Sequence, residues 1–115
     1  MGVGYALVNH SRAEIIGFAH IPASMKRELA GHAVAAAIVT WYLLEHPGDA
    51  IAFVSDTHDD WPFPSGNRAD LAAYTDVTDT VVDGLIAAGI LRDNGRQEFG
   101  EPGAYMRLLE HVWFE

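Results

Sequence analysis

A chain of 115 residues, half of them apolar and none a cysteine, has enough material for one buried core. It has nothing with which to build disulfides, thiolate metal sites or a cysteine nucleophile. Its formal charge of −9, from 16 acids against 7 bases, repels phosphate, which disfavours direct binding of nucleic acid or of an anionic membrane.

The acids are unevenly spread. Glu45, Asp49, Asp56, Asp59, Asp60, Asp70, Asp76, Asp79 and Asp83 fall within one third of the chain, with Arg68 as the single base among them. The lack of cysteine fits a reducing, cytoplasmic location. The opening Met1-Gly2-Val3-Gly4-Tyr5 has neither the basic start nor the long apolar run of a secretory signal. No repeat, linker or low-complexity tract interrupts the sequence, so residues 1–115 read as one domain.

In chain order, Tyr5 to His10 and Glu14 to Ile21 are rich in strand formers. The polar break Ser11-Arg12-Ala13 makes them an expected N-terminal β-hairpin. Pro22 stops the second strand. Ser24 is placed to cap a short helical turn over Met25 to Leu29, with Glu28 in support. A main helix is expected from His32 to Glu45. Its core, Ala33 to Leu44, is apolar on nearly every face but far shorter than the roughly 20 residues of a spanning helix. It therefore reads as a helix sunk deep against a sheet. His46-Pro47-Gly48 ends it.

Ala50 to Ser55 is a continuous apolar run and reads as a central strand buried on both faces. A polar loop from Asp56 to Asn67 follows. A second helix is expected from Arg68 or Asp70 to Ala88, with Tyr74, Thr78, Val81 and Leu85 inward and Asp76, Asp79 and Asp83 as an exposed acidic stripe. Asn94-Gly95 between Ile90–Asp93 and Arg96–Phe99 is a two-residue hairpin signal, and Ala104 to Phe114 supplies a last strand. The expected order is ββ-α-β-α-βββ. This is an α+β domain with two helices packed on one face of a mostly antiparallel or mixed sheet. Val82 to Leu91 with the hairpin after it is similar to the helix-then-wing end of winged-helix domains. The basic residues which that family carries on the helix are here replaced by aspartates, so the likeness implies a local motif without DNA binding.

Chemistry concentrates in the loop Asp56-Thr57-His58-Asp59-Asp60-Trp61, which follows a strand. Two readings of it stay open. Asp56, His58, Asp59 and Asp60 could hold a divalent cation, or Asp56 and His58 could act as a base and its orienting group. The spacing matches no EF-hand and no His-Glu-x-x-His motif. Equally, the loop is a solvated acidic surface. Trp61 and Phe63 lie between and beside prolines that stiffen them, either as partner-binding anchors or as a cover folded over a small core. The six histidines (His10, His20, His32, His46, His58, His111) would on protonation move the charge from −9 toward −3, making association sensitive to pH near 6.

The leading expectation is a small acidic protein-binding domain without enzymatic activity or cofactor. It would inhibit a basic protein partner in the manner of bacterial toxin-immunity or anti-defence proteins, through Asp56, Asp59, Asp60, Trp61, Phe63, Asp76, Asp79 and Asp83. The alternatives are a small metal-dependent enzyme or metal-binding domain built on Asp56 to Asp60, and a structural domain that forms homo-oligomers and uses its acids for solubility.

Overall fold

Tyr5–Asn9 (β1) and Glu14–Ile16 (β2) form the expected hairpin, with Leu7 opposite Ile16 and Asn9 opposite Glu14. The computed structural model describes residues 4–23, 25–56 and 61–113. β2 stops well before Ile21 because Phe18 and His20 take φ values of 56° and 64°, outside what a strand accepts. That departure turns Phe18 and Ile21 inward, and both are buried.

Two helices follow, Lys26–Gly31 (α1) and Ala33–Glu45 (α2). They are separated at His32, whose Nδ1 accepts from the Ala35 amide at 3.4 Å and starts the longer helix. The expected cap Ser24 lies outside the described residues. Glu28 plays its part, its Oε1 accepting from the Met25 amide at 3.2 Å. α2 buries Val34, Ala35, Ile38 and Tyr42 against the sheet. It is not sunk on every side as its composition predicts: Leu43 and Leu44 are 44% and 73% exposed. A single helical layer meets the sheet on one side only, and residues on the far side have nothing to pack against.

Ile51–Ser55 (β3) pairs antiparallel with β1, Leu7 opposite Phe53 and Tyr5 opposite Ser55. The strand order is β3-β1-β2-β4, so this run is an edge strand and not the central strand that its unbroken apolar character predicts. Arg68–Ala73 forms a 3-10 helix, Thr75–Asp76 a short strand (β4), and Thr78–Ala87 a helix (α3). The single helix expected from Arg68 or Asp70 to Ala88 is therefore divided. The amides of Thr75 and Val77 donate to the Ala13 and Ile15 carbonyls, at 3.0 and 2.9 Å, and β4 runs parallel to β2. These sheet bonds compete successfully for residues whose β-branching already disfavours a helix. Asp76 then closes the open end of α3, its Oδ1 accepting from both the amide and hydroxyl of Thr78.

Leu91–Glu98 (β5) and Tyr105–His111 (β6) make a separate two-stranded antiparallel sheet. The expected turn at Asn94-Gly95 does not occur, and among the described residues two strands follow α3 where three were predicted. The register between β5 and β6 shifts between Asp93 and Arg96, and Gly95, at φ 96°, sits in that bulge. The reversal comes instead near Glu101-Pro102-Gly103, where the Phe99 amide reaches the Ala104 carbonyl at 2.9 Å. A bulge, like a turn, offers a glycine a position at positive φ.

The α+β architecture thus holds, with helices and a mixed four-stranded sheet. Leu7 and Ile16 face α1, α2 and α3 across the main core, which also takes in Val81, Val82 and Leu85. The other face of the sheet carries Val8 and Val54, covered by Phe63, Trp61, Leu71 and Tyr74. No helix among the described residues is long and apolar enough to cross a membrane.

Candidate functional site

Several of the residues expected to meet a partner are engaged within the chain itself. Asp56 Oδ1 accepts from the Gly4 amide at 3.0 Å and fastens the end of β3 to the start of β1. His58, Asp59 and Asp60 lie outside the described residues. Phe63, 9% exposed, packs into the smaller core. Its ring stacks on His10 at 4.8 Å and meets Trp61 edge-on at 5.2 Å. Trp61 donates through Nε1 to the Ser65 carbonyl at 2.8 Å. The two loop aromatics are thus a cover over Val8 and Val54. Asp70 accepts from the Asn67 amide and serves as a helix cap, as Asp76 does for α3. Among the described residues no three metal-capable side chains gather.

Asp79 and Asp83 do form a local acidic row on α3, 63% and 70% exposed. They flank the guanidinium of Arg107 on β6, which reaches Asp79 at 3.0 Å, Asp83 at 3.6 Å and Asp93 at 3.2 Å. One cation facing three carboxylates leaves the group net negative. Arg107 is held charged: burial opposes its proton, but the hydrogen bonds to Asp93 and Asp79 outweigh that. Asp93 is held below the usual carboxylate range by the Gly95 amide first and by Arg107 second. Glu110 in turn accepts from Arg92 and Asn94 beside the bulge. Sequence reading found Asp79 and Asp83 but could not foresee that Arg107, 24 residues beyond Asp83, would return between them.

On the other side of α3 lies a crevice between α2 and α3, of about 270 Å³, lined by Glu14, Glu45, Trp41, Tyr42, His46 and Thr80 among others. Its inner wall is a polar network. The Tyr42 hydroxyl donates to Glu14 Oε1 at 2.7 Å and accepts from Asn9 Nδ2 at 3.0 Å. Asn9, fully buried, also donates to Asp49 Oδ2 at 2.9 Å, and Arg12 reaches the same oxygen at 2.7 Å. His46 stacks on the Tyr42 ring at 4.0 Å, and its Nε2 lies 3.9 Å from Glu14. Burial first, then the bond to Glu14, pushes the Tyr42 phenol up. It stays a neutral donor and is not a general base. Asp49 is held low by Asn9 and Arg12.

No family model, curated protein or solved structure matches this chain.

What the crevice can do follows from its own groups. Two carboxylates, an indole and a phenol form an anionic, aromatic-walled recess. That chemistry accepts a guanidinium or an ammonium, through charge-assisted hydrogen bonds and the ring faces. Gly84 lies against its indole wall: a β-carbon there would come into van der Waals contact with Trp41 Nε1, at 3.4 Å. None of Glu14, Trp41, Tyr42, Glu45 and His46 carries a sequence motif. Only the pairing that sets Glu14 beside α2 brings them together.

Proposed function

We propose that this chain is a small acidic protein-binding domain that engages a basic protein partner through α3 and the crevice between α2 and α3. The carrying observation is that crevice, with Glu14, Glu45 and Trp41 around a space sized for one long basic side chain and Asp79 and Asp83 exposed on the same helix. An arginine or lysine of the partner enters the recess, and the α3 aspartates steer the encounter. A net charge of −9 extends that attraction over the whole molecule. Inhibition of a nucleic-acid-binding or otherwise basic protein, as an immunity-type protein performs it, is the activity this surface suits.

The test is a titration with an arginine-rich peptide, followed by the NMR signals of the Trp41 indole and the amides of residues 77–84. Saturable shifts there, weakened several-fold by Glu45→Lys with Asp83→Lys and by raised salt, support the reading. Shifts spread evenly over every acidic surface, or an affinity that ignores both substitutions, overturn it.

A further inference from the structure

The opposite side of the molecule carries a second surface with the reverse electrical character. β3 is an edge strand. The Asp56 amide donates to the Gly4 carbonyl and the His10 amide to the Ala50 carbonyl. Alternation along the strand therefore turns the amides and carbonyls of Ala52 and Val54 toward β1, and those of Ile51 and Phe53 outward. Among the described residues no strand pairs with that outer edge, although at its far end the Arg68 guanidinium donates to the Ser55 carbonyl. Ile51-Ala52-Phe53-Val54-Ser55 also contains no lysine, proline or charge, the usual protections of an exposed edge.

Beside this edge, on the helix side of the sheet, runs an apolar groove of about 450 Å³. Tyr5 and Phe53 form its floor, edge to face at 6.2 Å. Leu29 of α1 and Val39 of α2 form its walls. Phe53 is 40% exposed, and Leu43, one turn beyond Val39, continues the row. Apolar walls alone do not choose an occupant; charge does. The charged residue that lines the groove is Lys26, the one lysine in the chain, and Arg27 is exposed next to it. Among the described residues neither meets a carboxylate, whereas Arg12, Arg92, Arg96 and Arg107 all do. An uncompensated cationic rim on so acidic a protein calls for a carboxylate from outside.

We infer that β3 and its groove bind an extended peptide segment of another protein by strand addition. A bulky apolar side chain of the segment fills the space between Phe53, Leu29 and Val39, and a flanking Glu or Asp faces Lys26. Main-chain bonds to Ile51 and Phe53 supply the alignment, and the groove and lysine supply the selection. This surface is separate from the α2–α3 crevice, and the two proposals stand or fall independently.

The probe is an acetylated and amidated pentapeptide, Glu-Val-Leu-Val-Glu, with Lys-Val-Leu-Val-Lys as its counterpart, each titrated into the labelled full chain. The expected result is movement of the Ile51 and Phe53 amide resonances and slowed exchange of those amides. Binding of the lysine peptide should be at least five-fold weaker. In the Lys26→Glu, Arg27→Glu double variant, whose changes are at exposed positions, the preference between the two peptides should reverse. Three results overturn the inference: no change at Ile51 and Phe53, equal binding of both peptides, or a free chain that light scattering shows to be dimeric with those two amides already protected.

Discussion

At Tyr42 one hydroxyl joins three elements: β1 through Asn9, β2 through Glu14, and α2 itself. Tyr42→Phe keeps the ring and its stacking on His46 but leaves the buried Asn9 amide with one acceptor fewer. We expect a loss of about 1–3 kcal/mol in denaturant unfolding, the usual cost of stranding a buried polar group. The raised phenol also sets an alkaline limit. The folded state holds the Tyr42 proton more tightly than the unfolded chain, so this contribution is complete below pH about 10 and declines as pH rises further. A pH series from 8 to 12 should show wild type losing stability more steeply than Tyr42→Phe. Asp49 and Asp93 act at the other extreme. Both are depressed when folded, so their contribution is present above the unfolded carboxylate value, about 3.9, and is lost as pH falls below it. The Asp49→Asn, Asp93→Asn variant should therefore be less stable than wild type at neutral pH and should lose less on acidification to pH 2, as followed by circular dichroism.

Among the elements, β5 is exposed along all but its first residue, and the β5–β6 hairpin is held to the rest of the molecule by a few anchors. Arg107 ties β6 to α3, its amide donates to the His20 carbonyl at 2.9 Å, and the Arg96 guanidinium lies 4.6 Å over the Tyr105 ring. Arg107→Met should speed amide exchange in β5 and β6 more than in β1, because Asp79, Asp83 and Asp93 would then repel one another without a counter-charge. Equal acceleration in both sheets would mean that the hairpin is held by other contacts. Gly95→Ala should cost about 1–3 kcal/mol, since φ 96° is strained for any residue with a β-carbon. The smaller core can be tested through Phe63. Its truncation to alanine should cost about 3 kcal/mol in thermal or denaturant unfolding and should expose Val8 and Val54. A near-neutral result would return the loop aromatics to the partner-anchor reading that their sequence allows.

For the molecule as a whole, the radius of gyration is 14.5 Å, slightly above the roughly 13 Å of a compact chain this long. Charge is divided by position as well. Six of the described acids of residues 45–83 have local partners: Asp70 and Asp76 are caps, Asp49, Asp79 and Asp83 are in ion pairs, and Asp56 holds a backbone amide. Lys26 and Arg27, which meet no carboxylate among the described residues, lie on α1. Partners approaching the two sides should therefore respond oppositely to charge reversal. A basic peptide should lose affinity with Glu45→Lys and keep it with Lys26→Glu, as calorimetry on both variants can establish.

The amino-acid pattern alone settled the class of the fold, the N-terminal hairpin, the span of α2 and the inward face of α3 at Thr78, Val81 and Leu85. All of these rest on periodicities of a few residues, which local sterics and burial enforce. Tertiary contacts decided what local pattern leaves open. They made Ile51–Ser55 an edge, since strand order depends on partners 40 or more residues away. They broke the segment after Arg68, because carbonyls at Ala13 and Ile15 were in place to receive its amides. They turned the carboxylates into caps and pairs by bringing in Arg12 and Arg107. A charge is visible in a sequence, but whether it faces water, a helix end or a guanidinium is fixed only when distant parts of the chain meet.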